Sequence, residues 1–172
     1  MSKNELLDLV NEKDEVIGTV WKSEAHKDPT KIHREVAIAV FNEKGEVLLQ
    51  QRSMKKLTGR GEWKITAAGH VGRGEDPQKA VVREAEEELG LKIVPKYFGK
   101  KFVIRGDKEA RFFWIYYSIV KNHPSLKLDE DEVMDARWVK LDKLEEFAIK
   151  NDYDLLGNSH KIIVELKKKL KL

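Results

Sequence analysis

Apolar and polar residues alternate along several short segments in the first seventy residues, which is the pattern of half-buried β-strands. The segments LLDLV and VIGTVW, with the turn-like NEKDE between them, predict a β-hairpin at about residues 5–21. A second hairpin is predicted from EVAIAVF and EVLLQQR, because Asn42 and Gly45 in the intervening NEKG suit a tight turn. WKITAAG then predicts one short strand that ends at Gly69.

The pattern changes to a helical period after this strand. Four apolar residues fall on one side at helical spacing: Val81, Val82, Ala85 and Leu89. Asp76 suits the N-cap, Pro77 suits the first helical position, and Gly90 suits a left-handed cap at the far end. The sequence therefore predicts a capped helix from Pro77 to about Leu89 that packs on a core.

The second half of the chain predicts three more strands, in KKFVI, RFFWIYYSIV and DARWVKL, followed by two helices at about 142–150 and 159–172. Strands that predominate in the middle with a few helices around them favour an α+β or α/β sandwich. Because the 172 residues contain no repeat and no Pro/Gly-rich linker, a single domain spanning 1–172 is expected.

The composition limits the chemistry, the location and the partners that can be expected of the chain. The chain has no cysteine, which excludes disulfides, a thiolate metal site and a cysteine nucleophile, and is compatible with a reducing compartment. Without an apolar run of roughly 18 residues, no membrane association is expected and a cytoplasmic location is predicted. The net charge of +3 is too small to argue for nucleic acid. The basic stretch 52–64 is explained most simply as a solvated loop; the alternative is that Arg52 and Lys64 contact substrate phosphates.

Glutamates crowd the C-terminal half of the predicted helix. Glu84, Glu87 and Glu88 share one face, and Glu86 lies between them in sequence. Like charges at this spacing cost a few tenths of a kcal/mol, and carboxylates at the negative end of the helix dipole cost roughly 0.3 to 1 kcal/mol more. A solvated face is one explanation, and a bound Mg²⁺ or Mn²⁺ is the other. Glycines in the preceding loop favour the ion, because they let backbone groups approach a ligand closely.

The whole stretch from Gly69 to Leu91 resembles a complete Nudix box: Gly69, Glu75 six residues on, and then REAEEELGL from Arg83. The resemblance implies an α/β/α sandwich with a mixed β-sheet, and hydrolysis of a nucleoside diphosphate linked to another group. It implies that Glu84, Glu87 and Glu88 are catalytic metal ligands for Mg²⁺ or Mn²⁺, with the Gly69 carbonyl as a further ligand. It also implies structural support of the box by Glu75, Arg83 and Gly90.

The N-terminal half carries a second resemblance. The stretch from DLVNEKDEVIG through EVLLQQRS is similar to the opening of the type I isopentenyl diphosphate isomerases, a branch of the Nudix superfamily. That branch holds a metal partly through three histidines, and His26, His33 and His70 match their positions; the alternative is that these histidines are structural. The isomerases place a catalytic cysteine where this chain has Ala68. The resemblance therefore implies an isomerase-like frame with hydrolase residues.

These expectations define a function. The chain is predicted to hydrolyse a nucleoside diphosphate derivative or similar small organic diphosphate, using divalent ions that activate a water molecule. The base that takes the proton from this water stays open among five carboxylates: Glu84, Glu87, Glu109, Glu130 and Glu132. An isomerase-like protein, a non-catalytic nucleotide-binding module and an RNA pyrophosphatase are the alternatives. A small diphosphate is the expected partner, nucleic acid is disfavoured, and a homodimer is left open.

Overall fold

The computed structural model describes residues 4–151, 153–155 and 157–172. Nine strands and four α-helices follow one another in these ranges, with a short 3-10 helix at Leu141–Lys143. In chain order they are β1 (Leu6–Val10), β2 (Val16–Trp21), α1 (Lys22–Ala25), β3 (His33–Asn42), β4 (Glu46–Arg52), β5 (Trp63–Lys64), β6 (Ala67–His70), α2 (Pro77–Leu89), β7 (Lys96–Arg105), β8 (Glu109–Val120), β9 (Val133–Lys140), α3 (Leu144–Asn151) and α4 (Asn158–Leu170).

The strands form a mixed sheet, as the fold class predicted. Seven of them form one sheet in the order β5-β4-β3-β8-β7, with β6 also paired to β3 and β9 to β4. The β3–β8 pair is parallel, and the other pairs are antiparallel. The hairpin of β1 and β2 forms a separate two-stranded sheet. No helix in the described ranges is long and apolar enough to cross a membrane.

The second hairpin differs from its prediction. β3 and β4 pair at Phe41 and Val47, next to the turn, and then separate. Beyond that point β3 pairs with β6 from Ile38 to Glu35, whereas β4 pairs with β5 and β9. The sheet therefore opens into two halves.

The predicted single strand at 63–69 is wrong, because it is two strands, β5 and β6, and the second continues to His70. The break falls at Thr66, whose side chain joins the two halves of the sheet. Its hydroxyl donates to the Leu48 carbonyl at 2.6 Å and accepts from the Val40 amide at 2.9 Å. The break lets β5 pair with β4 while β6 pairs with β3.

Helix α2 has the predicted caps. Asp76 accepts hydrogen bonds from the amides of Gln78 and Lys79, and Gly90 adopts a left-handed conformation with φ of 63°. A Cβ at Gly90 would also approach Lys127 too closely. The buried stripe differs in one position, since Ala80 is buried whereas Val82 is half-buried. This stripe packs on one face of the sheet, and helices α3 and α4 cover the other.

Replacing Thr66 by valine should leave the Val40 amide and the Leu48 carbonyl unpaired in the core. We expect Thr66→Val to lower the free energy of unfolding by about 1–3 kcal/mol in urea denaturation. Thr58→Val, at an exposed loop position, should change it by less than about 0.5 kcal/mol. Equal stabilities of the two variants would contradict the bridging role of Thr66.

Candidate active site

Glu84 lies against the backbone of β6. A Cβ at Gly69 would overlap the Glu84 carboxyl group, so the glycine is needed here for close approach. The Glu84 side chain is 13% exposed and its Oε1 accepts from Arg83 Nη1 at 2.7 Å. Burial raises the pKa of Glu84 to about 7 although Arg83 opposes the shift. Glu84 therefore lies directly against the backbone of Gly69, the residue whose carbonyl the box resemblance implies as a further ligand.

Glu88 is buried more deeply. It is 6% exposed, and its Oε2 accepts from Gln50 Nε2 at 2.8 Å. Burial, together with the charges of Glu84 and Glu132, raises the pKa of Glu88 to about 8, although Gln50 and the Ala68 backbone hydrogen-bond to it. A buried carboxylate without a cation is costly, so this position suits a metal ligand.

Glu87 has a different environment, because its side chain is 61% exposed and reaches Arg83 Nη1 at 3.1 Å. Glu86 is exposed as well, and both line an open groove on the outer face of α2. Glu87 is therefore much more exposed than Glu84 and Glu88, although the spacing predicts that the three share one helix face. In the described part of the chain, the potential ligands whose atoms all lie within 4.8 Å of one another are the histidine group below, not these glutamates.

Arg83 holds the loop, the helix and β6 together. Its guanidinium donates to both oxygens of Glu75, at 2.9 and 3.0 Å, and to the His70 carbonyl at 3.0 Å. Glu75 also accepts from the Gly72 amide at 2.9 Å. Although burial opposes it, these hydrogen bonds hold the pKa of Glu75 below its usual value, and the carboxylates raise that of Arg83. Arg83 and Glu75 therefore make the contacts expected of structural support.

The three histidines converge on one point. His26 follows α1, His33 begins β3 and His70 ends β6, yet their ligand atoms and that of Glu35 all lie within 4.8 Å. His26 Nε2 is 2.8 Å from His70 Nε2, and His70 Nε2 is 3.1 Å from Glu35 Oε1. Burial, with the charge of His70, lowers the pKa of His26 to about 4, which favours the neutral imidazole that metals require. His33 Nε2 is buried, and among the residues that the structure describes none hydrogen-bonds to it.

The sequence reasoning missed Glu35 and Arg111, which complete this group together with Glu109, one of the candidate bases. We call the group the histidine cluster: His26, His33, His70, Glu35, Glu109 and Arg111. Arg111 Nη1 donates to Glu35 at 2.9 Å and to Glu109 at 3.1 Å. Glu109 Oε2 lies 3.6 Å from His26 Nε2. His33 and Arg111 are register partners on neighbouring parallel strands. The signal in the sequence was a spacing of two residues, because His33 and Glu35 on one strand, and Glu109 and Arg111 on the other, share a sheet face.

The other candidate bases are placed apart from the histidine cluster. Glu132 forms an ion pair with Lys56, and its charge acts on Glu88, so it lies beside the box helix. The Glu130 side chain is exposed, and its carbonyl accepts from the Ser53 hydroxyl at 2.8 Å.

Arg52 and Lys64, the two predicted phosphate contacts, lie in different environments. Arg52 Nε donates to the Thr58 carbonyl at 2.8 Å and so shapes the basic loop. Lys64 lies opposite Gln50 in the β4–β5 ladder, on the face that carries Glu88. Burial, with the charge of Arg52, lowers the pKa of Lys64, and both Glu88 and Glu35 oppose the shift. Lys64 therefore lies on the Glu88 face, and the charges of both Glu88 and Glu35 act on it.

Comparison with known proteins identifies the family. The NUDIX domain family matches residues 31–157. An isopentenyl-diphosphate Delta-isomerase of Streptomyces avermitilis is 33% identical over 156 residues, covering 86% of this chain and 77% of the relative. An uncharacterised Nudix hydrolase of Listeria monocytogenes is also 33% identical, over 138 residues that cover 80% of this chain and 81% of the relative. The chain therefore belongs to the Nudix family, and its enzyme class is that of a Nudix hydrolase.

Solved structures agree on the fold. The Deinococcus radiodurans protein DR0079 matches with a TM-score of 0.75 at 20% identity, covering 94% of this chain and 98% of that one. The NUDIX domain of Shewanella oneidensis NrtR, solved with ADP ribose, matches with a TM-score of 0.65 at 16% identity, covering 80% and 87%. Both the sandwich fold and the resemblance to the isomerase branch are confirmed.

The raised pKa values predict the pH dependence of stability. Glu88 has a folded pKa of about 8 against an unfolded value of 4.5, and Glu84 a folded pKa of about 7. Between about pH 6.5 and 8.5 the folded chain then holds protons that the unfolded chain has lost, so stability falls as pH rises. We expect a loss of about 2 kcal/mol attributable to Glu88 over this range in metal-free urea denaturation.

The matched variants are Glu88→Gln, which should flatten this dependence, and Glu86→Gln, which should preserve it. A wild-type protein that becomes more stable from pH 6.5 to 8.5 would contradict the assignment. The window avoids His26, whose depressed pKa affects stability at lower pH.

Proposed function

We propose that the box helix and β6 form a divalent-metal site that hydrolyses a small diphosphate, of which a nucleoside diphosphate derivative is the expected class. The observation that carries the proposal is the placement of Glu84 and Glu88. Both carboxylates are withdrawn from solvent and have raised pKa values, and Arg83 pairs with Glu84 alone of the two. A divalent cation would offset the cost of ionising both.

The residues present fit such an ion. Glu84 and Glu88 offer hard carboxylate oxygens beside Gly69, whose carbonyl would be a further ligand, and Glu87 would join them by a change of rotamer from its exposed position. When bound, Mg²⁺ or Mn²⁺ would neutralise diphosphate charge and lower the pKa of a coordinated water.

Protein side chains would do the remaining work. Lys64, directed to the face that carries Glu88, would contact a phosphate oxygen, and Arg52 would hold the basic loop beside it. Among the candidate bases, Glu84, Glu87 and Glu132 lie on the side of the box helix. Glu109 is engaged with His26 and Arg111, which disfavours it as the base. The Glu130 side chain is exposed in a loop, which disfavours it as the base.

One position, Ala68, argues against the isomerase alternative. Relatives named as isomerases are about as similar to this chain as relatives named as Nudix hydrolases. In this chain, however, Ala68 stands at the position where the isomerase resemblance implies a cysteine, and the chain contains no cysteine. Ala68 packs against the hydrophobic core and offers no proton donor. The carboxylate chemistry of the box is retained, so we favour hydrolysis.

We further propose that the histidine cluster is a second metal site. Three imidazoles and a carboxylate within 4.8 Å form a donor set that suits a transition-metal ion. The buried, unpartnered Nε2 of His33 supports this reading, because a nitrogen without a hydrogen-bond partner is costly unless a ligand occupies its lone pair or its proton.

A substrate panel tests the hydrolase. Wild-type protein with Mg²⁺ or Mn²⁺ should release phosphate-containing products from one or more nucleoside diphosphate derivatives in a panel that includes prenyl diphosphates and capped RNA. We expect Glu88→Gln to lower kcat by roughly a hundredfold or more. Glu86→Gln, a neighbour on the exposed face, should remain within about twofold of wild type.

The proposal fails if no member of the panel is hydrolysed with either ion, or if Glu88→Gln is as active as wild type. Thermal stabilisation by a nucleotide without turnover would instead indicate a binding module. Conversion of isopentenyl diphosphate to its isomer would overturn the argument from Ala68.

Metal analysis tests the histidine cluster separately. His70→Ala and His33→Ala should each lose one equivalent of a transition metal that wild type retains after desalting, because each removes a ligand. His123→Ala serves as the control, since His123 is exposed and pairs with Glu46 outside the cluster. Equal metal contents in all four proteins would leave the histidines structural.

A further inference from the structure

Arg111 binds Glu35 and Glu109, the two carboxylates of the histidine cluster that a metal ion there would also use as ligands. A single nitrogen, Nη1, donates to Glu35 Oε1 and to Glu109 Oε1, and so bridges the two carboxylates of the cluster. The guanidinium also lies over the Phe113 ring, 4.9 Å from its centroid, and its side chain is 13% exposed. Arg111 is therefore a fixed, largely buried cation.

The oxygen that Arg111 engages is the one that faces the imidazoles. Glu35 Oε1 lies 3.1 Å from His70 Nε2 and 3.8 Å from His33 Nε2. The same oxygen accepts from Arg111 at 2.9 Å. A divalent ion coordinated by these histidines and Glu35 would therefore share its carboxylate with the guanidinium.

The charges in the cluster also indicate that Arg111 opposes the binding of a divalent cation. Glu35 and Glu109 contribute two negative charges, and Arg111 cancels one of them permanently because a guanidinium does not deprotonate in proteins. Other cations add little, since Arg105 reaches Glu109 at 3.5 Å from a side chain that is 67% exposed. Removing Arg111 would leave two buried carboxylates facing three imidazoles, an arrangement that attracts a divalent cation more strongly but is less stable without one.

We propose that Arg111 sets the metal affinity of the histidine cluster: it offsets one of the two carboxylate charges in the metal-free protein and weakens the binding of divalent cations there. This inference rests on the proposal that the cluster is a metal site, and it makes Arg111 a positioning residue rather than a ligand. The ligand class is a divalent transition-metal ion that accepts imidazole nitrogen.

Titration with Co²⁺ tests the inference. Imidazole nitrogen shifts the visible bands of Co²⁺ relative to an all-oxygen octahedral site, and four- or five-coordination strengthens them, so the spectrum distinguishes the histidine cluster from the box glutamates. We expect Arg111→Gln to bind Co²⁺ at least about tenfold more tightly than wild type, equivalent to about 1.4 kcal/mol. Without metal, Arg111→Gln should melt at a lower temperature than wild type, and Co²⁺ should raise its melting temperature by more.

Three variants provide the controls. Arg111→Lys keeps the charge and should bind Co²⁺ within about threefold of wild type. Arg105→Gln removes an exposed charge near the same Glu109 and should also stay within about threefold, because solvent screens it. Arg111→Met removes the charge while keeping packing against Phe113, and provides the measurement if the glutamine variant does not fold.

A purely structural role for Arg111 would lower the melting temperature without tightening Co²⁺ binding, and that result overturns the inference. If neither wild type nor any Arg111 variant shows the Co²⁺ absorption, or if His33→Ala retains it, the histidine metal site fails and the inference fails with it. Hydrolysis at the box helix is measured independently, through Glu88→Gln, and neither outcome affects it.

Discussion

The contacts of Arg83 are the interaction on which both candidate sites depend. One guanidinium binds Glu75 in the loop, Glu84 and Glu87 on α2, and the carbonyl of His70 on β6. Because Gly69 and His70 are adjacent, the same contact fixes the backbone against which Glu84 packs and the end of the strand that carries a cluster histidine. The box helix and the histidine cluster are therefore built around opposite faces of one short strand, and a displacement of β6 would disturb both.

This arrangement explains why the glutamates of α2 differ in their exposure to solvent. Their spacing on the helix is regular, but the helix packs with Glu88 over Gln50 and the Ala68 backbone, whereas Glu87 is exposed. Arg83 offsets the charge of Glu84, and Gln50 offers Glu88 a neutral donor instead. Burial nevertheless raises the pKa of each carboxyl, to about 7 for Glu84 and about 8 for Glu88. Ionising the buried Glu88 beside the neutral Gln50 amide costs free energy that a bound cation would offset. This cost is the physical basis for expecting a cation.

Local sequence signals predicted the local parts of this structure. Asp76, Pro77 and Gly90 specify the bounds of α2 through contacts within a few residues, so its helix could be read from the sequence. The division of the strand at Thr66 could not, because it depends on hydrogen bonds from Thr66 to β3 and β4, 26 and 18 residues away. The same limit applies to the histidine cluster. Its histidines were identified by resemblance, but Glu35 and Arg111 meet through a parallel pairing of strands 76 residues apart in sequence.

The presence of Arg111 bears on how an isomerase-like frame can accompany hydrolase residues. Acid/base chemistry at carbon needs groups that exchange protons. Where the isomerase resemblance implies a cysteine this chain has the methyl group of Ala68, and the residue that bridges the cluster carboxylates is the cation Arg111. Neither exchanges a proton near neutral pH. On the other face of β6, the box retains Glu84, Glu87 and Glu88 together with the Glu75–Arg83 pair. The proposed hydrolysis is therefore assigned to the carboxylates on the side of α2, whereas the histidines and Glu35 fit the proposed second metal site.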